Sequence, residues 1–341
     1  MANNLIIEIG DFYIRIGDGA MINNQIKVNS FVNLEKNNDF FVTSNYHNLD
    51  LLAKDINNLI SSQNIKGKTV NLIIPDTYTY SQILTMPFLK EKELLSAIKF
   101  QADQFIPLPI DKTTIDIDIL YEDKKANQLL ILIVAAPNKL IDHCISLIEQ
   151  ANLIPQIIEN QTTSFLRLVD VINKNRQEEK LAIIINFDFF STTLYCYDYN
   201  LNSFNSIFNF KTGLEIFLKE VEINLSLDRQ NALKLLKSTD LINNQQSDLY
   251  RVISPALSDF INNLNRYIIS LTEKNPNMKV NQIYTANLTN YFLNFEALIE
   301  KQINIPTMIL DPLNLIYKNN FYDIIAKNKS SCLSILGGLI E

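Results

Sequence analysis

The sequence predicts an α/β fold made of two copies of one βββαβα domain, with a small β-α-β-β-α subdomain inserted into the first copy. Three observations predict it. Residues 4–19 (NLIIEIGDFYIRIGDG) and residues 181–197 (LAIIINFDFFSTTLYCY) each read as strand, tight turn and strand, since apolar β-forming runs flank Gly, Asp or Asn positions. A second set of elements, extended, helical, extended, extended and helical, occupies 79–150, and the polar stretch INKNRQEEK at 172–180 separates the two halves. A chain of 341 residues also exceeds what one compact core usually organises.

In chain order, the first copy opens with strands on either side of a turn at Gly10-Asp11. A further turn is expected at Gly17-Asp18-Gly19, and a third strand at Gln25 to Val32. Leu51, Leu52, Ile56, Leu59 and Ile60 have helical spacing within 49–60, and Thr69 to Ile74 is the mostly apolar run of a buried strand. The insertion follows. Thr79 to Leu84 is extended, and Lys90 to Phe105 carries Leu94, Ile98, Ala102 and Phe105 on one helix face between Met86-Pro87 and the exit Ile106-Pro107-Leu108-Pro109. Thr114 to Leu120 alternates, Gln128 to Ala135 is strongly apolar, and Asn138 is expected to cap a helix running to Gln150. Pro155 to Glu159 and a helix from Gln161 to Val171 return the chain to the first copy.

In the second copy, strands at 181–186, 191–197 and 206–210 precede helices from Gly213 to Asn224, Asp228 to Leu236 and Asp248 to Leu271, with Pro255 near the first turns of the last. A short strand at 282–286, a largely helical 288–303, a strand at 307–310 and an apolar closing helix at 330–339 complete it. The expected division is 1–77 with 152–175 for the first domain and 78–151 for the insertion. The second domain takes 176–235 with 280–341, and a mainly helical subdomain takes 236–279.

Composition excludes several function classes. A net charge of −7 and a pI near 5.1 lack the clustered cations of a nucleic-acid surface. The opening MANNLIIEIG has neither the basic start nor the apolar length of a signal peptide or membrane span, so direct membrane insertion is not expected. Cys144, Cys196 and Cys332 lie far apart among apolar neighbours and read as reduced core residues. His47 and His143 show no ligand spacing, so no metal site and no catalytic triad is expected. Glycine is scarce, seven residues in all, roughly a third of the ~7% usual in globular proteins. Phosphate loops depend on it, because only a residue without Cβ lets the backbone close on the anion.

The stretch MPFLKEKELLSAIKFQADQFIPLPID at 86–111 resembles the corresponding part of the PilM family, the cytoplasmic actin-like proteins of type IV pilus assembly. Further resemblances follow in order. They are Val134-Ala135-Ala136-Pro137, Ala151-Asn152-Leu153-Ile154-Pro155, Arg167, Thr192, Gly213 with Glu215, and Gly338-Leu339. The resemblance implies duplicated actin-like (ribonuclease H-like) domains and a nucleotide cleft whose remnants here are Glu8, Gly10, Thr192, Gly213 and Glu215.

Against the family pattern, an Asp-x-Gly at each hairpin turn, the first turn reads Glu8-Ile9-Gly10 and the second Asn186-Phe187-Asp188. Leu233 and Leu236 stand where the family offers Glu and Lys, and Thr285-Ala286-Asn287 replaces a Gly-Gly pair. No catalytic residue and no cofactor is therefore expected, and ATP with Mg²⁺ is the doubtful exception. The resemblance further implies a scaffold peripheral to the inner membrane that binds the N-terminal cytoplasmic tail of a PilN-like protein. The implied groove lies between the first domain and the insertion, near Met86, Pro87, Phe105, Ile106 and Pro107. The machine's assembly ATPase and further copies of the chain are additional partner candidates. Alternative readings on the same fold are a secretion adaptor like GspL, a division adaptor like FtsA, or a sugar-kinase-type phosphotransferase.

Overall fold

The computed structural model describes residues 4–36, 40–41, 47–101, 106–173, 181–274, 276 and 278–340. The chain divides into two compact units, Met1–Lys174 with Pro312–Glu341, and Asn175–Asp311.

In the first unit, β1 (Asn4–Ile9), β2 (Tyr13–Ile22) and β3 (Gln25–Glu35) form an antiparallel meander, followed by α1 (His47–Ser62) and β4 (Thr69–Ile74). The inserted elements are β5 (Tyr80–Pro87), α2 (Glu91–Gln101), β6 (Thr113–Asp123), β7 (Gln128–Pro137) and α3 (Asn138–Gln150), after which β8 (Ile154–Asn160) and α4 (Gln161–Asn173) return. β4 runs parallel to β1 and β8 parallel to β4, giving the sheet order β3-β2-β1-β4-β8.

Alternation along β1 builds two layers. Leu5, Ile7 and Ile9 face a core with Leu52 and Ile56 of α1 and Leu147 and Ile148 of α3. Ile6 and Glu8 face the opposite layer, where Gln161 at the start of α4 donates to Glu8 and a Cβ on Gly338 would press on Ile6.

The insertion is a separate sheet in the order β5-β7-β6. Leu94 and Ile98 of α2, together with Ile106, cover Leu129, Ile131 and Ile133 on one of its faces.

The second unit contains β9 (Leu181–Phe187), β10 (Thr192–Asp198), β11 (Ser203–Phe210), α5 (Leu214–Leu225), α6 (Arg229–Ser238) and α7 (Asp248–Lys274), then β12 (Val280–Asn287), α8 (Phe295–Ile303) and β13 (Thr307–Ile309). Its sheet order, β11-β10-β9-β12-β13, repeats that of the first unit strand for strand. Phe187 sits among Phe217, Phe260, Phe292 and Phe295 at its core. The duplication expected from the two hairpins is therefore present in the topology.

Several details differ from the sequence expectation. The segment 312–341 belongs to the first unit and not to the second. Its helices are α9 (Tyr322–Lys327) and α10 (Leu333–Gly338), and α10 lies against α4 so closely that Gly337 leaves no room for a Cβ beside the Ser164 carbonyl. No turn occurs at Gly17-Asp18-Gly19. β2 runs through it with an irregularity between Asp18 and Gly19, and the chain reverses at Asn23-Asn24 with φ of 49° and 62°. Two positive φ values are what a two-residue hairpin needs, and Asn tolerates them.

That choice recurs. Among the described residues the left-handed positions are held by Asn and by Ser226, and by no glycine. The glycine scarcity thus reflects which residue turns the chain.

Asn138 does not cap α3. It is the first helical residue, and its Oδ1 accepts from Thr114 Oγ1 at 2.9 Å. Pro255 lies inside α7, past its first turn, and the Arg251 carbonyl four residues earlier accepts from Ser254 Oγ instead. The expected helix at 288–303 is a 3-10 turn at Leu288–Tyr291 followed by α8, with Asn294 in the left-handed region between them. Phe105, Ala102 and 174–180 of the expected linker lie outside the described residues.

Candidate functional site

The first candidate locus is the β1–β2 turn. Gly10 N–H donates to the Tyr13 carbonyl at 2.9 Å, which closes the turn and sets Glu8 directly opposite Arg15 in the antiparallel register. Glu8 is fully buried, and Arg15 is 1% exposed. Burying a carboxylate demands a counter-charge and hydrogen bonds, and Glu8 has both. Arg15 Nη1 lies 3.2 Å from Oε2, while Tyr13 Oη donates to Oε1 at 3.2 Å and Gln161 Nε2 at 3.0 Å. Gln161 also donates to Tyr13 Oη at 2.6 Å. The Arg15 guanidinium stands 3.5 Å from the Tyr13 ring centroid, a cation–π arrangement. That ring covers Gly10, so even a Cβ there would overlap it.

The corresponding turn of the second unit is closed by Asp188 N–H donating to the Ser191 carbonyl at 3.0 Å, with Asn186 opposite Thr193. Asp188 Oδ1 accepts the Phe189 amide at 2.8 Å. Gly213 has no room for a Cβ because the Asp188 and Phe189 carbonyls press on it. Those carbonyls accept the Leu214 and Glu215 amides at 3.0 and 2.9 Å, so the first amides of α5 are used internally. Glu215 is bound by Arg229 and lies 3.4 Å from Lys219, and Arg229 stands 5.4 Å from the Phe189 ring centroid. Thr192 Oγ1 donates to the Thr212 carbonyl at 2.6 Å.

Glu8, Gly10, Thr192, Gly213 and Glu215 therefore all have partners within their own unit. The residues that supply those partners, Tyr13, Arg15, Gln161 and Arg229, were not singled out from the sequence. Arg15 was within reach: once the turn is placed at Gly10–Tyr13, pairing sets the residue seven after Glu8 across from it. Gln161 and Arg229 come from distant elements, and no local pattern announces them.

The insertion is the second kind of locus. Ile106 is 3% exposed, and with the half-buried Met86 it belongs to the cluster beneath α2. These two pack on the covered face, and Pro87 and Pro107 are exposed beside them. The other face of the same sheet, with Ser81 and Ile83 of β5, Leu132 and Val134 of β7 and Asp116 and Asp118 of β6, approaches β8 and α4. Asn160 Nδ2 donates to Thr79 Oγ1 at 2.9 Å and to Ser81 Oγ at 2.7 Å. Arg167 of α4 grips both Glu159 oxygens at 2.6 and 2.8 Å and donates through Nε to the Gly337 carbonyl at 3.3 Å. Burial pushes the Asp118 carboxyl above its ordinary value, the Ile119 amide and the Arg167 charge pull it back, and Asp116 pushes it up.

Other features carry no site chemistry. All three cysteines are buried and free, and burial pushes the Cys144 thiol up to about 12. Among the described residues no group of three or more His, Cys, Asp or Glu could hold a metal ion, and no helix is long and apolar enough to cross a membrane. A polar cavity of about 740 Å³ lined by Asn4, Asp18, Ser30, Asn71 and Gly67 opens at the amino end of β1, away from the Glu8–Gly10 turn.

Comparison with known proteins agrees with this architecture. No curated protein sequence matches the chain. The solved PilM-PilN type IV pilus biogenesis complex matches with a TM-score of 0.84 at 14% identity, covering 99% of each chain. The ethanolamine utilization protein EutJ from Carboxydothermus hydrogenoformans matches at 0.57 and 8% identity, covering 100% of this chain and 90% of that one. MreB 5 of Spiroplasma citri bound to AMPPNP matches at 0.50 and 11% identity, covering 99% and 95%. These similarities give a duplicated actin-like α/β fold. The family model for type IV pilus assembly protein PilM matches residues 7–337, and the chain belongs to that family.

Proposed function

We propose that this chain is a non-catalytic scaffold of a type IV pilus assembly platform. It works in the cytoplasm against the inner membrane, held there by the N-terminal cytoplasmic tail of a PilN-like protein. The observation that carries the reading is the full-length match to the PilM family and to a PilM solved with PilN.

The tail lies, on this reading, between α4 and the face of the β5-β7-β6 sheet that is opposite α2, with the half-buried Ile83 and Val134 offering apolar contact and Asp118 and Arg167 at its border. A titration of the chain with a synthetic peptide copying the tail tests it. Binding that is lost in Val134→Arg and kept in a surface control such as Lys234→Glu supports the groove, and no binding to the unaltered chain sinks the scaffold reading.

The second half of the proposal is that nucleotide binding is weak or lost. It is supported by the internal engagement of every residue expected to meet a nucleotide: a ligand would have to break a buried ion pair at Glu8 and displace the Tyr13 ring from Gly10. Breaking such a pair costs about 3–5 kcal/mol, a large share of what a micromolar ligand gains. Calorimetry with Mg-ATP is the check, and micromolar affinity would refute it.

A further inference from the structure

Acid, arginine and aromatic ring occur together twice in this molecule, once in each unit. In the first, Glu8 is held by Arg15, which lies over Tyr13. In the second, Glu215 is held by Arg229, which lies over Phe189. Each cluster touches the turn between the first two strands of its unit. Tyr13 is the residue whose carbonyl closes the first turn, and Phe189 sits inside the second, its carbonyl accepting the Glu215 amide. A guanidinium that stacks on a ring while bonding a carboxylate is fixed in position by both contacts, and lysine cannot reproduce that geometry.

We propose that these two clasps are built-in counter-charges. The first supplies the positive charge that the buried Glu8 requires, the second pairs the partly buried Glu215 at the start of α5 beside its turn, and each holds its turn in one conformation that does not respond to Mg²⁺ or nucleotide. The proposal deepens the reading above that nucleotide binding is weak or lost, and names what stands in its place. The first clasp is the stronger, since Glu8 and Arg15 are both buried, whereas Arg229 is 30% exposed and Glu215 has Lys219 as a second cation. Solvent screening weakens the second pair accordingly.

The experiment uses the full chain and three variants, with urea unfolding and hydrogen exchange of 8–16 and 186–192, each in EDTA and in millimolar Mg-ATP. Arg15→Met is expected to raise the unfolding equilibrium constant roughly 100-fold or more, because it strands a buried carboxylate. Glu8→Gln with Arg15→Met is expected to recover most of that loss, which keeps the test usable where the single variant fails to fold. Arg229→Met is expected to change it by less than roughly tenfold. In the unaltered chain, neither the midpoint nor exchange in the two turns is expected to differ between EDTA and Mg-ATP.

A double variant no more stable than Arg15→Met would overturn the counter-charge, and exchange in either turn slowed by Mg-ATP would overturn the fixed conformation. Micromolar nucleotide affinity seen by calorimetry with both turns unmoved would instead count against the reading that binding is weak or lost, while leaving the clasps intact.

Discussion

The two hairpins are the same piece of backbone with different chemistry inside. In each, an amide two residues after the strand's polar member bonds the carbonyl three residues on, Gly10 to Tyr13 at 2.9 Å and Asp188 to Ser191 at 3.0 Å. In each, the polar member is paired with the residue seven later, Glu8 with Arg15 and Asn186 with Thr193. The first hairpin buries a charge and must neutralise it. The second places a neutral amide at that position, carries its buried acid two residues later as Asp188, and pairs Glu215 of α5 with Arg229 at partial exposure. A duplicated fold therefore constrains the register of these turns and leaves their electrostatics free, and each unit has solved the buried polar group in its own way.

Transplanting the second solution into the first gives the largest expected effect. Arg15→Thr copies the neutral side chain but leaves Glu8 buried and unpaired, and a loss of about 3–5 kcal/mol in urea unfolding is expected. Adding Glu8→Asn completes the copy of the Asn186–Thr193 pair and should return most of that stability, because no charge is then left to compensate. If the single and double variants were equally stable, the contrast between the two turns would have no energetic content.

Much of this fold was legible in the sequence for a specific reason. Apolar runs such as Leu181 to Ile185 and Thr69 to Ile74 carry strand signals that do not depend on context, and the repeated hairpin gave the duplication. Boundaries were lost where asparagine did the work usually given to glycine. At Asn23-Asn24 the reversal carries no glycine, while the glycine-bearing Gly17-Asp18-Gly19 lies within β2.

The return of 312–341 to the first unit was unreadable for another reason. It depends on α10 meeting α4 across a long sequence separation, with Gly337 against Ser164. At the site, residues on the turns were found by type, and their partners were missed because Gln161 and Arg229 reach them only in three dimensions. Ile106 packs beneath α2, and an apolar residue beside prolines looks the same from the sequence whether it faces a groove or a core.

A smaller effect tests the glycine side of the comparison. Gly10→Ala should cost about 1–3 kcal/mol, the range for overfilling a packed site, since the new methyl meets the Tyr13 ring. Asp188→Gly makes the second turn resemble the first and removes the Oδ1 that accepts the Phe189 amide at 2.8 Å, so it should cost about 1–2 kcal/mol, the worth of one hydrogen bond to a charged group. Thermal unfolding of both variants is the measurement. A loss well beyond that range for Asp188→Gly would mean that the second turn depends on its carboxylate as the first depends on Glu8.

The smallest expected effect concerns an acid that the second unit has no counterpart for. Asp118, on the inserted β6, is pushed above its ordinary value chiefly by burial, with the Arg167 charge opposing from a distance and no arginine in contact as Glu8 has. For a carboxyl whose value is higher in the folded state than in the unfolded one, protonation favours folding. Its contribution is fully present below the unfolded value near 3.9 and is lost as pH rises through the folded one. Above that window the ionised Asp118 is a modest burden. Asp118→Asn keeps an oxygen for the Ile119 amide and removes the charge, so it should be neutral or slightly stabilising at neutral pH, with the gain fading as pH falls below the folded value. Glu8→Gln alone should behave in the opposite way at neutral pH, because it strands Arg15. Denaturation of the two variants at neutral and acidic pH separates the fully buried, paired Glu8 from the more exposed Asp118, and a destabilised Asp118→Asn at neutral pH would mean that the Arg167 charge outweighs desolvation.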